Sequence, residues 1–149
     1  MESSWQTKQK NNFKEGRNLV KNNISQDFGG GICQFSSILY CSSLQYGLEI
    51  LERHSHSIDI YKENERFTPL GSDSTVVFGY KDLQIKNNFP FPIQFKCWVQ
   101  ENELYLSIRS QNEIKLKTIN FKYQKTENGV WVETVNNDQT LFKNFYIRL

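Results

Sequence analysis

The segment DFGGGICQFSSILYCSSLQYGL, Asp27 to Leu48, constrains the fold more than any other part of the chain. From Phe28 to Leu48 it carries no charge, and it opens on three consecutive glycines. Glycine runs cost backbone entropy, so a folded domain keeps them where the chain bends sharply or passes close to something. Beyond them, from Cys33 to Leu48, the pattern is helical. Phe35, Ile38, Leu39 and Ser42 share one face, and Ser37, Cys41, Leu44 and Leu48 the neighbouring one. A helix apolar on most sides belongs inside a protein, and Gly47 is placed to end it. The run is close to membrane-spanning length, but its four glycines, four serines and two glutamines argue for a core helix behind a glycine turn.

After the helix the period changes. In ERHSHSIDIY, His54, His56, Ile58 and Ile60 alternate with Arg53, Ser55, Ser57 and Asp59, which predicts a strand with both histidines directed inward. STVVFGY and DLQIKNN read as strands, and FPFPI as a strand start or edge, because proline donates no ladder hydrogen bond. Ile93, Phe95, Cys97 and Val99, then Leu104, Leu106 and Ile108 beyond QENE, predict a hairpin. Asn128-Gly129 predicts a second hairpin turn before VWVETV, and TLFKNFYIRL a last strand. The aromatic residues of these strands read as core and cross-strand pairs. The first 27 residues, with scattered apolar anchors at Trp5, Phe13, Leu19, Val20 and Ile24, read as loop, short strand and turn. The expected fold is therefore α+β: one buried helix after a Gly-rich turn, then a mostly antiparallel β-sheet. With 149 residues, one domain over 1–149 is the economical reading.

Composition narrows the function classes. A 14% aromatic fraction argues against disorder. Eighteen basic residues against 16 acidic ones, scattered along the chain, leave no footprint for nucleic acid. No apolar stretch follows Met1 as a secretory leader would, so a cytoplasmic location is expected, as is a chain that does not span a membrane. Three cysteines without a CxxC pair fit reduced thiols better than a disulfide framework.

One constellation has chemistry in it. A thiol in the first helical turn lies beside unpaired N–H groups and the positive end of the helix dipole, and both favour thiolate. Cys33 holds that position, with Gly29, Gly30 and Gly31 clearing the approach for a substrate and Ser36 and Ser37 close by. A cysteine nucleophile needs a base, and the only histidines are His54 and His56. Asp73 or Glu52 would orient the imidazole, and Gln34 with the Cys33 N–H would meet an oxyanion. The alternative for the same residues is a zinc site, His54 and His56 with Cys33 and a carboxylate; otherwise no cofactor is expected. No phosphate loop, dinucleotide fingerprint or G-x-S-x-G elbow is present.

The stretches DFGGGICQFSSILY, LEILERHSHSIDIY, ERFTPLGSDSTVVFGYKDLQIKNN and PIQFK together resemble the VanW family, over about residues 14–110. The resemblance implies an association with the bacterial cell envelope and glycopeptide resistance, without a settled reaction. It also implies further sequence ahead of FKEGRNLV in other members, so this chain is expected to lack its natural beginning. Residues 111–149 are less characteristic and read as additional strands. Two functions follow as expectations: a Cys–His hydrolase or transferase acting on peptide or amide bonds of a peptidoglycan precursor, or a non-catalytic module binding a cell-wall peptide or partner protein.

Overall fold

The computed structural model describes residues 15–20, 23–28, 31–59, 66–77 and 79–148. Strands β1 (Glu15–Val20) and β2 (Asn23–Phe28) pair antiparallel and lead to helix α1 (Ile32–Gln45). Strands β3 (Glu49–Glu52), β4 (Ile58–Asp59) and β5 (Gln84–Lys86) are short. Long hairpin strands follow: β6 (Ile93–Gln100) with β7 (Glu103–Ser110), then β8 (Ile119–Thr126), β9 (Gly129–Asn136) and β10 (Gln139–Arg148). Strands dominate, with one helix among the described residues. The expected single sheet is instead divided into pairs β1-β2, β3-β5 and β6-β7 and a four-stranded sheet in the order β4-β10-β9-β8. All pairings are antiparallel except the two-residue parallel clamp of β4 on β10. Among the described residues no helix is long and apolar enough to cross a membrane.

Local chemistry explains most of these elements. The helix stops where Gly47 N–H donates to the Leu44 carbonyl and Leu48 N–H to the Ser43 carbonyl, a paired closure that satisfies two last-turn acceptors. The β6–β7 reversal uses Glu101 and Asn102, both at positive φ, and the β9–β10 reversal uses Asn137 and Asp138 in the same way. Such primed turns match the twist of the strands they join. The β8–β9 turn is displaced by one residue from expectation. Thr126 faces Gly129, so Glu127 and Asn128 make the turn and Gly129 is already in the strand. A Cβ on Gly129 would lie 2.1 Å from the Tyr146 carbonyl oxygen, so the glycine lets β10 come close instead of making the turn.

Three further expectations are corrected. The helix is buried on one side only: Ser36, Ser37, Tyr40, Ser43 and Leu44 turn inward, while Phe35 stays 37% exposed. Residues 53–56 are irregular instead of a continuous strand, and Ile60 lies outside the described residues. Ser74–Val76 is also irregular, with only an isolated bridge between Val77 and Lys81 beyond it. The reason is shared: the two segments bond each other, and Ser74 also bonds α1. Thr75 N–H donates to the His54 carbonyl (2.8 Å), Ser74 N–H donates to Ser37 Oγ (2.9 Å), and the Ser36 hydroxyl donates to the Ser74 carbonyl (2.6 Å). The buried serines therefore act as a short-range clamp, and small side chains let the loop lie against the helix.

The core that backs this loop is Leu70, Val130, Val132 and Tyr146, with Phe121 packed against it. Gly71 is required there on two counts. Its φ of +102° disfavours any side chain, and a Cβ would meet Val132 Cγ1 at 2.6 Å. The chain thus turns sharply over the four-stranded sheet just before Asp73.

Candidate active site

Cys33 is the second residue of α1, and Gly31 precedes the helix in the left-handed region with no side-chain cap and no acidic residue in the first turn. The first-turn N–H groups are therefore left without intrahelical acceptors beside the thiol. Cys33 Sγ lies 3.6 Å from Thr75 Oγ1 and 4.0 Å from the Val76 carbonyl. Burial alone pushes this thiol up; hydrogen bonding with His56, the Val76 backbone and Thr75, and the His56 charge, outweigh burial and leave it below its ordinary value.

His56 is the imidazole that interacts with Cys33. Its Nδ1 lies 2.7 Å from Asp73 Oδ2, and its backbone N–H donates to the same oxygen at 2.7 Å. This leaves Nε2 for the thiol. Burial lowers the imidazole, but the Asp73 hydrogen bond, reinforced by Cys33 and the Asp73 charge, raises it to about 9. At neutral pH the imidazole is thus charged, and the thiol beside it ionises more readily than an ordinary cysteine.

Asp73 is held from both oxygens. Oδ1 accepts from Arg53 Nη2 (3.0 Å) and from the Tyr146 hydroxyl (2.5 Å), while Arg53 Nε donates to the Asp73 carbonyl (2.8 Å). Burial would push the carboxyl up, yet the His56 hydrogen bond and the Arg53 charge hold it below the usual carboxylate range. The Arg53 side chain is 2% exposed. It also donates to Asn144 Oδ1 and lies 4.8 Å from the centroid of the Tyr40 ring. A charge this deep is tolerated because its donors are taken and its partner is a carboxylate. The row imidazolium, carboxylate, guanidinium alternates in sign, with the lowered Cys33 thiol at its end.

The other predicted residues divide. His54 turns away: its Nε2 bonds Glu52 Oε1 at 2.9 Å, with the two side chains 37% and 33% exposed. Glu52 also accepts from Asp82 N–H and from Gln84 Nε2, so it orients His54 and the β5 segment and not His56. The expectation of two inward histidines fails because residues 53–56 do not keep strand periodicity. For the same reason His54 and His56 do not converge on one point, and among the described residues no group of three His, Cys, Asp or Glu is disposed to hold a metal ion. Gln34 is exposed on the first helical turn, next to Cys33. Ser36 and Ser37, expected toward a substrate, are buried and spend their hydroxyls on the Ser74 carbonyl and the Cys33 carbonyl (2.6 Å from Ser37). Gly31 is described above; Gly29 and Gly30 lie outside the described residues.

Arg53, Thr75 and Tyr146 were not legible as site residues. Alternation assigned Arg53 to the outward face. Tyr146 lies 73 positions beyond Asp73 and arrives only because β10 pairs with β4, Ile147 opposite Ile58, directly after His56 and Ser57.

Comparison with known proteins places the chain in a family. The family described as VanW like protein matches residues 2–109. YoaR of Bacillus subtilis (strain 168) is 30% identical over 102 residues, 68% of this chain and 32% of the relative. The vancomycin B-type resistance protein VanW of Enterococcus faecalis (strain ATCC 700802 / V583) is 22% identical over 123 residues, 80% of this chain and 45% of the relative. The chain thus spans less than half the length of either relative. No solved structure matches it. Cys33, His56 and Asp73 all fall inside the matched residues, whereas Tyr146 falls outside them, and the chain belongs to the VanW family.

Proposed function

We propose that this domain is a thiol-dependent acyl-transfer enzyme, a hydrolase or transferase acting on amide bonds of cell-wall peptides. The observation that carries the reading is the row Cys33, His56, Asp73, in which the thiol is lowered, the imidazole raised and the carboxylate fixed. The cell-wall assignment rests on similarity to a vancomycin B-type resistance protein.

In this reading the Cys33 thiolate adds to the amide carbonyl carbon. The uncapped N–H groups of the first turn, with the Gln34 side chain, meet the oxyanion. His56 gives its proton to the leaving nitrogen as the C–N bond breaks, and a thioester remains on Cys33. Water or an acceptor amine then attacks the thioester carbonyl, His56 takes the attacker's proton, and the thiolate leaves. Asp73 holds the His56 tautomer and stabilises its charge throughout.

The test is incubation with soluble muropeptides, read by chromatography and mass spectrometry. New cleavage or exchange products, together with an acyl adduct on Cys33, are expected, and both should disappear in Cys33→Ala. Turnover that persists in Cys33→Ala removes the thiol from the reaction. Saturable muropeptide binding without products, unchanged by Cys33→Ala, would favour a binding module.

A further inference from the structure

A cleft of about 610 Å³ opens alongside the first two turns of α1. Ile32, Phe35 and Leu39 line it from the helix, and Val76, Val77 and Leu83 from the segment opposite. It lies beside the thiol, which is not itself part of its lining: Val76 lines the cleft, and its carbonyl is 4.0 Å from Cys33 Sγ. The apolar residues are left accessible, Phe35 at 37% and Val77 at 47% exposure, so the cleft presents an oily wall to whatever occupies it. Ligand sites have this character, apolar walls with a few polar groups.

The charged groups of the cleft are unequal. The Glu52 carboxylate is committed to His54, Asp82 N–H and Gln84. Asp82 Oδ1 accepts from Leu83 N–H. The Lys81 ammonium, by contrast, has only the Tyr80 ring, 6.0 Å from its centroid, and no ion pair with a described residue. Lys81 is the one cation among the described residues that line the cleft, and so the group placed to meet an anion.

Resting on the thiol reading above, we infer that the cleft is the specificity subsite of the Cys33 centre and takes a peptide of defined chemistry. That peptide carries an apolar side chain next to the amide attacked, seated between Phe35 and Val77, and a carboxylate beyond it, met by Lys81. The helix supplies the nucleophile from one face and the substrate wall from the next, so a single turn of α1 couples recognition to attack.

The experiment uses chloromethyl ketones on the folded chain, with alkylation of Cys33 followed by peptide mass spectrometry and iodoacetamide as the size-neutral reference. The thiolate displaces chloride from the methylene carbon of each chloromethyl ketone, and iodide from that of iodoacetamide. Acetyl-leucyl chloromethyl ketone should outpace the acetyl-glycyl compound by about tenfold or more, the discrimination of one buried apolar side chain. Replacing acetyl by succinyl, which adds a carboxylate, should add about threefold, the scale of an exposed ion pair. Val77→Ser should erode the leucyl preference and Lys81→Met should abolish the succinyl advantage, with the iodoacetamide rate unchanged in both. Equal leucyl and glycyl rates, with Cys33 still fast toward iodoacetamide, overturn the subsite and leave the thiol reading standing. A succinyl advantage that survives Lys81→Met overturns the carboxylate assignment. A Cys33 no faster than Cys41 toward iodoacetamide overturns the subsite and the thiol reading together.

Discussion

Cys33 and Cys41 lie two turns apart on the same helix, both half-buried, both free thiols. Burial pushes each of them up, and at Cys41 it prevails, with a Ser72 hydrogen bond the only opposing contact. At Cys33 the balance reverses, because the chain delivers His56, Thr75 and the Val76 backbone to it. The contrast teaches that half-burial says nothing about reactivity. What separates the two thiols is their partners: the Ser72 hydroxyl at Cys41, and at Cys33 the His56 imidazolium held by Asp73, with Thr75 and the Val76 backbone.

The largest way to break this contrast is Asp73→Ala. It leaves Arg53 buried without its counter-ion, for which a loss of about 3 to 5 kcal/mol of stability is expected, read by urea unfolding. A loss below about 1 kcal/mol would mean that Arg53 is satisfied by its other acceptors. Asp73→Asn, closer in shape, should keep more of the fold while still lowering the His56 imidazole.

A pH series sharpens the contrast next. His56 is raised from 6.5 to about 9, so its contribution to stability is complete below pH 6.5 and is lost as pH rises toward 9. Cys33 is lowered from 9.0, so its contribution runs the other way, growing as the folded thiol ionises before the unfolded one. The imidazole shift is the larger, and stability is expected to fall between pH 6.5 and 9 by up to about 3 kcal/mol. His56→Gln should flatten that slope in urea midpoints, and an unchanged slope would assign it to other groups.

At the level of the thiol itself, His56→Asn should slow alkylation of Cys33 at neutral pH by about a hundredfold, toward the rate of Cys41. His54→Asn should change it by less than about twofold, because His54 serves Glu52 outside the row. If the two substitutions have equal effects, the choice of His56 as base is wrong. Smallest of the four is Tyr146→Phe, which removes one donor from a charged acceptor and should cost about 1.5 kcal/mol. Its diagnostic readout is the pH profile of Cys33 alkylation, which should shift if Tyr146 acts through Asp73 and should not if it only fills the core.

Much of the candidate site is legible in the sequence. Three glycines, a thiol at a helix start, two histidines and an acidic residue in GSDST are local signals, and each points to its chemistry through residue type and spacing. The hairpins were equally legible, since alternation and turn residues act over a few positions. The histidine pair shows where this stops. Period-2 alternation in ERHSHSIDIY predicted a strand, but the His54 carbonyl accepts from Thr75 N–H and the His56 N–H donates to the Asp73 carboxylate, and the two imidazoles diverge to Glu52 and Asp73.

What the sequence by itself determined is the helix with its thiol, the strand-rich remainder and the VanW resemblance, because these follow from short-range sterics, burial pattern and motif. Only the tertiary structure decided which histidine and which acid stand beside Cys33. That choice depends on Arg53 folding inward, on Gly71 turning over Val132, and on β10 bringing Tyr146 to Asp73 from 73 positions away. Contacts of that range are made by packing, and no local pattern encodes them.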